Sequence, residues 1–261
     1  MGLKKVISAS RRIDMVACFP LDTARILHEK CPPETVHTVV IWTKNPEHLL
    51  HHPRLNRQIM QYDQLFVHFT ITGMGGTILE PRVPVTQKSL EMLPQLIALT
   101  GAPERIRIRF DPIVHLKLPD GAEYSNFRLF KTLAPEFAAA GIRNISVSWM
   151  AVYKKVKLRL ERFGLQIREV SPEKWREEAD QLMAIADENR LRIHACSMPG
   201  LPISRCIDGT LLSELHPKGE RCSEKRAKGQ RKLCGCTESW DIGWYYKCPH
   251  GCRYCYANPA D

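Results

Sequence analysis

The sequence predicts an α/β protein built on a parallel sheet, and two observations lead there. Short β-branched, apolar segments alternate with helix-patterned ones over the first 200 of the 261 residues. From Cys196 onward the alternation stops, and eight of the ten cysteines gather in that stretch. Strand–helix repeats of this kind fold as parallel strands joined by right-handed crossovers. Ligands of such sheets bind at the carboxyl ends of the strands.

Lys5 to Ser10 is a run of apolar and small residues that predicts the first strand, with a helix from Asp22 to Lys30 behind it. His37 to Thr43, β-branched and apolar, predicts the second strand, ended by Lys44-Asn45-Pro46 and a brief helical turn to Leu50. Gln64 to Thr72 predicts the third strand, followed by a glycine-rich loop and a helix near Thr86 to Thr100 that Gly101 closes. Arg105 to Phe110 is the fourth strand, stopped at Asp111-Pro112, and Tyr124 to Ala140 a helix ended by Gly141. Asn144 to Trp149 is the fifth strand, and Lys154 to Glu169 a basic helix. Pro172 to Asn189 is amphipathic; its start, Ser171-Pro172-Glu173, combines an N-cap, a proline at the first helical position and an acidic first turn. Leu191 to Cys196 completes the series as the sixth strand.

Polar residues at the ends of these strands form a candidate ligand-binding rim. Ser8, Ser10, Arg11, Arg12 and Asp14 follow strand one, and Thr43, Lys44 and Asn45 follow strand two. Strand three delivers Thr70, Thr72 and the loop Gly73-Met74-Gly75-Gly76, with Glu80 beyond. Arg109 and Asp111, then Ser148 and Trp149, then His194 and Cys196, end strands four, five and six. Caps and turns use the same residue types, so Arg11, Arg12, Asp14, Lys44, Asn45, Arg109 and Asp111 weigh more together than singly. The glycines of the loop let backbone amides approach a ligand, or make a plain turn.

Beyond residue 200 the chain reads as a cysteine-rich, metal-binding extension, residues 201–261, appended to the body of residues 1–200. Residues 216–233 carry seven Lys and Arg (Lys218, Arg221, Lys225, Arg226, Lys228, Arg231, Lys232) against Glu220 and Glu224, half of the net charge of +10. Such a run is a solvated loop, a set of phosphate contacts, or compensation for a cluster's negative charge. No aromatics interleave within it, so the run itself offers no stacking platform for single strands.

Clustered cysteines without an export signal favour metal binding over disulfides. Cys248-x3-Cys252-x2-Cys255 can turn three thiolates toward one centre. Iron–sulfur cubanes take four thiolates, so three leave one iron for a small molecule. A closed zinc site wants four protein ligands, which His250 or a distant cysteine would complete. Cys234-Gly235-Cys236 with Cys196 and Cys206 makes a second four-thiol group, for an auxiliary [4Fe-4S] cluster or zinc, with Cys222 competing for a place. Cys18 and Cys31 read as buried free thiols. The aromatics of Trp240 to Tyr246 are expected to pack beneath the cluster.

The terminal motif, followed by Tyr256-Ala257-Asn258, resembles the cluster loop of the radical S-adenosylmethionine superfamily. Its form Gly251-Cys252-Arg253-Tyr254-Cys255-Tyr256-Ala257 resembles the spore photoproduct lyase-like branch, and the layout resembles a bacterial family that ends in this same motif. The resemblance implies a (β/α)6 partial TIM-type barrel, with the extension folding back over the barrel mouth. It implies a [4Fe-4S] cluster on Cys248, Cys252 and Cys255, with S-adenosylmethionine on the fourth iron. Reductive cleavage would yield a 5'-deoxyadenosyl radical that takes hydrogen from a nucleic acid or small molecule. A flavodoxin or ferredoxin would supply the electron. Tyr254 is then expected near the adenine, and Gly75, Gly76, Glu80, Arg109, Asp111, Lys44 and Asn45 are the other expected cofactor contacts. That superfamily carries the loop after its first strand, where Ser10-Arg11-Arg12 stands in this chain, so the resemblance implies circular permutation. The alternatives are a non-catalytic iron–sulfur or zinc protein that binds nucleic acid, and a plain electron carrier.

Composition agrees with a soluble, cytoplasmic protein. The hydrophobic fraction of 44% fills a core, and the start, Gly2-Leu3-Lys4-Lys5, lacks the apolar stretch of a signal peptide. No apolar run approaches the ~18 residues of a membrane span. The charge of +10 suits a polyanionic partner.

Overall fold

The computed structural model describes residues 2–196, 198, 200–231 and 233–260, so Lys232 of the basic run lies outside the described residues. In chain order the elements are β1 (Lys5–Ala9), α1 (Met15–Cys18), α2 (Pro20–Lys30), β2 (Val36–Thr43), α3 (Glu47–His51), α4 (Pro53–Ile59) and β3 (Leu65–Thr70). Then come α5 (Thr86–Glu91), α6 (Leu93–Thr100), β4 (Ile106–Ile113), β5 (His115–Lys117), β6 (Glu123–Ser125), α7 (Leu129–Ala139) and β7 (Asn144–Trp149). The chain ends through α8 (Lys154–Arg162), β8 (Gln166–Ile167), α9 (Pro172–Glu188), β9 (Arg192–Ala195), α10 (Gly209–Glu214) and β10 (Trp240–Asp241). Seven strands form one parallel sheet in the order β10-β1-β2-β3-β4-β7-β9. A small antiparallel sheet, β6-β5-β8, stands beside it.

The two faces of the main sheet are filled differently. Strand side chains alternate between faces. Ile7, Ile41, Val67, Phe69, Ile108 and Phe110 turn to one side and share a core with Leu27, Leu55, Leu96, Phe130 and Leu182 of the flanking helices. Each fully buried side chain of this size contributes about 1.5–3 kcal/mol. Val6, Val40, Trp42 and Phe66 turn to the other side and pack against Cys206, Ile207, Leu212, Cys222 and Cys236 of the extension. Polar groups of that face find one partner each in the extension's backbone. His68, stacked on Trp42 at 4.9 Å, bonds the Cys206 carbonyl at 2.6 Å. Arg107 donates to the Arg205 carbonyl at 2.7 Å, and Gln64 to that of Leu212 at 2.8 Å.

This arrangement overturns the expected (β/α)6 partial barrel with an extension over its mouth. The sheet is open, and among the described residues no pairing joins β9 to β10. A small barrel fills its interior with strand side chains alone. Here the corresponding face carries His68, Arg107 and Arg109 among apolar residues, and the chain's own extension covers it. The extension also takes the free edge of β1, pairing Ile7 with Trp240 and Ser8 with Asp241.

Three helices are shorter than the residue patterns predict. The helix near Thr86 to Thr100 is broken into α5 and α6 at Met92, because Pro94 has no N–H to continue it. The helix placed from Tyr124 starts only at Leu129, because Glu123 to Ser125 pairs with β5. The basic helix from Lys154 stops at Arg162, because Gln166 and Ile167 also pair with β5. Among the described residues no helix is long and apolar enough to cross a membrane.

The extension's hold on the sheet includes a pH-sensitive stack. His37, buried on β2, lies against His216 of the extension with ring centroids 4.3 Å apart. Burial lowers both imidazole pKa values; Lys4 lowers His37 further, while Glu220 raises both and Asp63 raises His216. The unfolded chain therefore binds protons that the folded chain refuses. The stability this supplies is complete above the ordinary imidazole pKa of ~6.5 and is lost as pH falls below it. Lowering pH from about 7.5 to about 5 is expected to lower the thermal midpoint, and His37→Gln to flatten that response in circular-dichroism melts. An unchanged slope in the variant would place the acid sensitivity elsewhere.

Candidate functional site

The cysteine loop is closed by its own backbone. Cys248 donates to the Asn258 carbonyl at 2.6 Å, Ala260 to that of Cys248 at 2.8 Å, and Cys255 to that of Cys252 at 3.1 Å. Gly251 stands at φ +64°, and a Cβ there would lie 2.5 Å from an Arg82 nitrogen, so the turn requires glycine. Arg159 of α8 donates to the Cys255 carbonyl at 2.6 Å, Arg82 donates to that of Pro249, and the Arg253 amide donates to that of Leu79 at 3.0 Å.

Asp14 joins this loop to the strand ends. Just past β1, its carboxylate caps α1 through the Ala17 amide at 3.1 Å. The same group accepts from the Thr43 hydroxyl at 3.0 Å, the Lys44 amide at 2.7 Å and His250 Nε2 at 2.8 Å. The loop is thereby held at the carboxyl ends of β1 and β2.

Cys252 is buried, and Cys248 and Cys255 are half-buried; none is in a disulfide. The three thiols lie within electrostatic range of one another. Burial pushes the Cys252 and Cys255 thiols up. Cys248 is instead brought down to about 6, chiefly by a hydrogen bond from Cys18. Cys18 is a site residue that sequence reasoning missed, because a lone thiol on a one-turn helix has no spacing to any other. The three thiols do not close to single-ion spacing. Among the described residues the only group of three His, Cys, Asp or Glu with all donor atoms within 4.8 Å is Asp63, His216 and Glu220. There Lys218 already sits 2.6 Å from Asp63 and Lys4 2.8 Å from Glu220. A cubane binds each thiolate to a different iron and so takes a wider set than one ion does.

Beside the loop lies a buried ionic network that joins two residues the sequence placed separately on the rim, Lys44 and Glu80, to Tyr254 of the loop itself. Lys44 Nζ is 2.8 Å from Glu80 and 2.9 Å from the Tyr254 hydroxyl, which itself donates to Glu80. Thr72 adds a third contact to Glu80 at 2.8 Å. Burial alone would lower the Lys44 ammonium pKa, yet Glu80 and the Cys252 and Cys255 thiols hold it above its ordinary value. Burial, then Glu80, pushes the Tyr254 phenol well up.

A second thiol group centres on Cys206, which hydrogen-bonds Cys196 and Cys236 and accepts from Arg109 at 3.3 Å. Those thiol hydrogen bonds, followed by Arg109, depress the Cys206 thiol pKa against the effect of burial. Arg109 also pairs with Asp111, which accepts from Ser148. Tyr256, exposed at its ring, lies in electrostatic range of Cys255, Cys196 and Arg109, and so stands between the two thiol groups.

Other expected residues serve the protein's own structure. Cys234 Sγ faces Gln230 at 4.0 Å, outside the thiol group around Cys206, and Cys222 bonds the Gly209 carbonyl at 3.4 Å. Asn45 caps the start of α3 through the Glu47 amide at 3.1 Å. A Cβ on Gly75 would lie 1.9 Å from the Pro84 carbonyl oxygen, and Gly76 donates to the Glu80 carbonyl at 3.0 Å. Those two glycines close the turn that presents Glu80. Of the linking aromatics, Trp244 packs on Phe19 at 5.7 Å, whereas Trp240, Tyr245 and Tyr246 are exposed instead of lying beneath the loop.

The fold and site define an α/β protein with an open parallel sheet, whose cysteine-rich extension covers one face and sets three thiols at the carboxyl edge. Residues 15–257 match the family described as domain of unknown function DUF1848, and the chain belongs to that family. No curated protein and no solved structure matches it. The match corrects the resemblance to the radical S-adenosylmethionine superfamily and its spore photoproduct lyase-like branch, because DUF1848 is a distinct family and no match to that superfamily accompanies it. A single short loop motif does not carry family membership.

The ionic network makes a stability prediction. Removing one partner of a buried ion pair leaves the other charge uncompensated, which costs about 3–5 kcal/mol. Lys44→Met is expected to lose that much unfolding free energy in urea titrations, and Lys44→Met with Glu80→Leu to recover most of it. A single variant that loses less than about 1 kcal/mol would show that Glu80 has another counter-charge.

Proposed function

We propose that this chain is an enzyme that uses a cysteine-held [4Fe-4S] cluster for one-electron chemistry at the carboxyl edge of its sheet. The observation that carries the proposal is the setting of Cys248, Cys252 and Cys255. They are three unbridged thiols on a rigid loop, pinned by Asp14 to the strand ends where parallel sheets bind ligands. Three thiolates of one loop would hold such a cluster and leave one iron open to a small molecule, taken to be S-adenosylmethionine. The cluster, reduced by the electron donor, would supply the one electron that cleaves that molecule to methionine and a 5'-deoxyadenosyl radical, released as 5'-deoxyadenosine once it has taken a hydrogen atom from substrate.

The chain's own groups have definite parts. Lys44, buried between Glu80 and Tyr254, sets a positive charge near Cys252 and Cys255 and offsets that of their thiolates. Cys18 positions Cys248 by a hydrogen bond. Met74, Leu79 and Val114 pack with Cys252 and Tyr254 and keep water from the loop's inner side. Cys196, Cys206 and Cys236 are proposed as ligands of a second [4Fe-4S] cluster, with Cys234, on the same segment, as the remaining candidate. The reductant is an acidic flavodoxin or ferredoxin, which the net charge of +10 attracts.

The test is anaerobic purification, reconstitution with iron and sulfide, an iron count, and then dithionite with S-adenosylmethionine. About eight irons per chain, four for each cubane, with release of 5'-deoxyadenosine, is the expected result. About four irons with release would remove the second cluster. Cys252→Ala is expected to abolish release while leaving the far-ultraviolet circular dichroism unchanged. Zinc alone, with no cleavage, would overturn the proposal.

A further inference from the structure

A cleft of about 800 Å³ runs along the edge formed by β1 and β10, and no residue of the cysteine loop lines it. Its cations come from separate parts of the chain: Lys4 and Lys5 on one side, Arg11 and Arg12 after β1, and Lys228 from the basic run. Two carboxylates also line it, and both are hydrogen-bonded to the wall. Asp241 accepts from Ser8 at 3.1 Å and Ser10 at 2.8 Å, and Glu238 from Ser223 at 2.9 Å.

The cleft is lined by one aromatic, Trp240, although the basic run has none, and a second, Tyr245, stands against its Arg12 just outside the lining. Trp240 is 43% exposed, with the Lys5 ammonium 4.9 Å from its ring centroid. Tyr245 is 67% exposed, with the Arg12 guanidinium 4.9 Å from its ring. Folding therefore interleaves rings and cations that the sequence keeps apart. A duplex hides its base faces and would meet only the charges, which leaves the exposed rings without a use. A free nucleotide needs one ring. Cations beside two exposed rings on one segment suit a chain of phosphates with unstacked bases.

We propose that this cleft binds single-stranded nucleic acid, with phosphates against Lys5, Arg12 and Lys228 and bases stacked on Trp240 and Tyr245. Arg11, seated on the Trp42 ring at 5.5 Å, is in electrostatic range of Cys236, so the cleft leads from the sheet edge toward the second thiol group. This site goes beyond the cluster chemistry and does not depend on it.

Fluorescence anisotropy of the full chain, as purified, tests the proposal with three labelled probes. They are a single-stranded oligonucleotide of about a dozen residues, the duplex of the same sequence, and a mononucleotide. The single strand is expected to bind at least tenfold tighter than the other two. Trp240→Ala and Tyr245→Ala are each expected to weaken it by about tenfold. Arg12→Gln is expected to flatten the dependence of log affinity on log salt by about 0.7. Thermal melts separate loss of a contact from loss of the fold, and exposed Tyr245 serves where a change at β10 unfolds the edge. Binding that persists in Cys252→Ala keeps this result independent of the cluster. No binding at low salt, equal binding of duplex and single strand, or affinity untouched by both aromatic variants would overturn the proposal.

Discussion

Four donors converge on the Asp14 carboxylate, and the geometry of the candidate site depends on that convergence. The Ala17 amide fixes the turn after β1, Thr43 and the Lys44 amide bring in the end of β2, and His250 brings in the cysteine loop. A buried carboxylate without partners costs several kcal/mol, so the three segments hold one another in place. Burial alone would lower the His250 imidazole pKa, but Asp14 and Cys248 hold it above the ordinary value. The pair thus ties a segment at one end of the chain to a loop at the other.

The same economy governs the face of the sheet turned away from the helices. His68 is depressed to about 3 and His194 to about 4, both chiefly by burial, and Arg107 is buried beside them. Such groups need partners: the extension supplies the carbonyls of Arg205 and Cys206 to Arg107 and His68, and Asn144 of β7 partners His194. The cysteines around Cys206 lie on this covering segment. The second thiol group therefore sits between the sheet and the chain that closes over it.

Much of the fold was legible because the parallel strands are buried on both faces. Val36 to Thr43 is buried throughout, and that burial shows in the sequence as the unbroken apolar run Val39 to Trp42 among β-branched neighbours. The choice between barrel and open sheet was less legible, since both share one strand–helix rhythm. The signal lay in the alternation Arg105-Ile106-Arg107-Ile108-Arg109, which marks a face too polar to fill a closed interior. The small β6-β5-β8 sheet escaped notice because two- and three-residue strands are set by distant partners. Within the site, Lys44 and Glu80 were identifiable singly as rim residues and Tyr254 as a residue of the cysteine loop, but their union spans more than two hundred residues. Cys18 and the aromatic side of the basic cleft were invisible for the same reason, proximity made only by folding.

The central claim is that the terminal loop holds a cluster by three thiolates and leaves one iron open. Mössbauer spectroscopy of the anaerobic protein prepared with 57Fe tests it most directly. The account predicts a cubane spectrum in which one iron lacks thiolate ligation and shifts when S-adenosylmethionine is added, with the signal lost in Cys252→Ala. A cubane with four equivalent thiolate-bound irons, Cys18 completing the set, or a protein that takes up no iron, would contradict it.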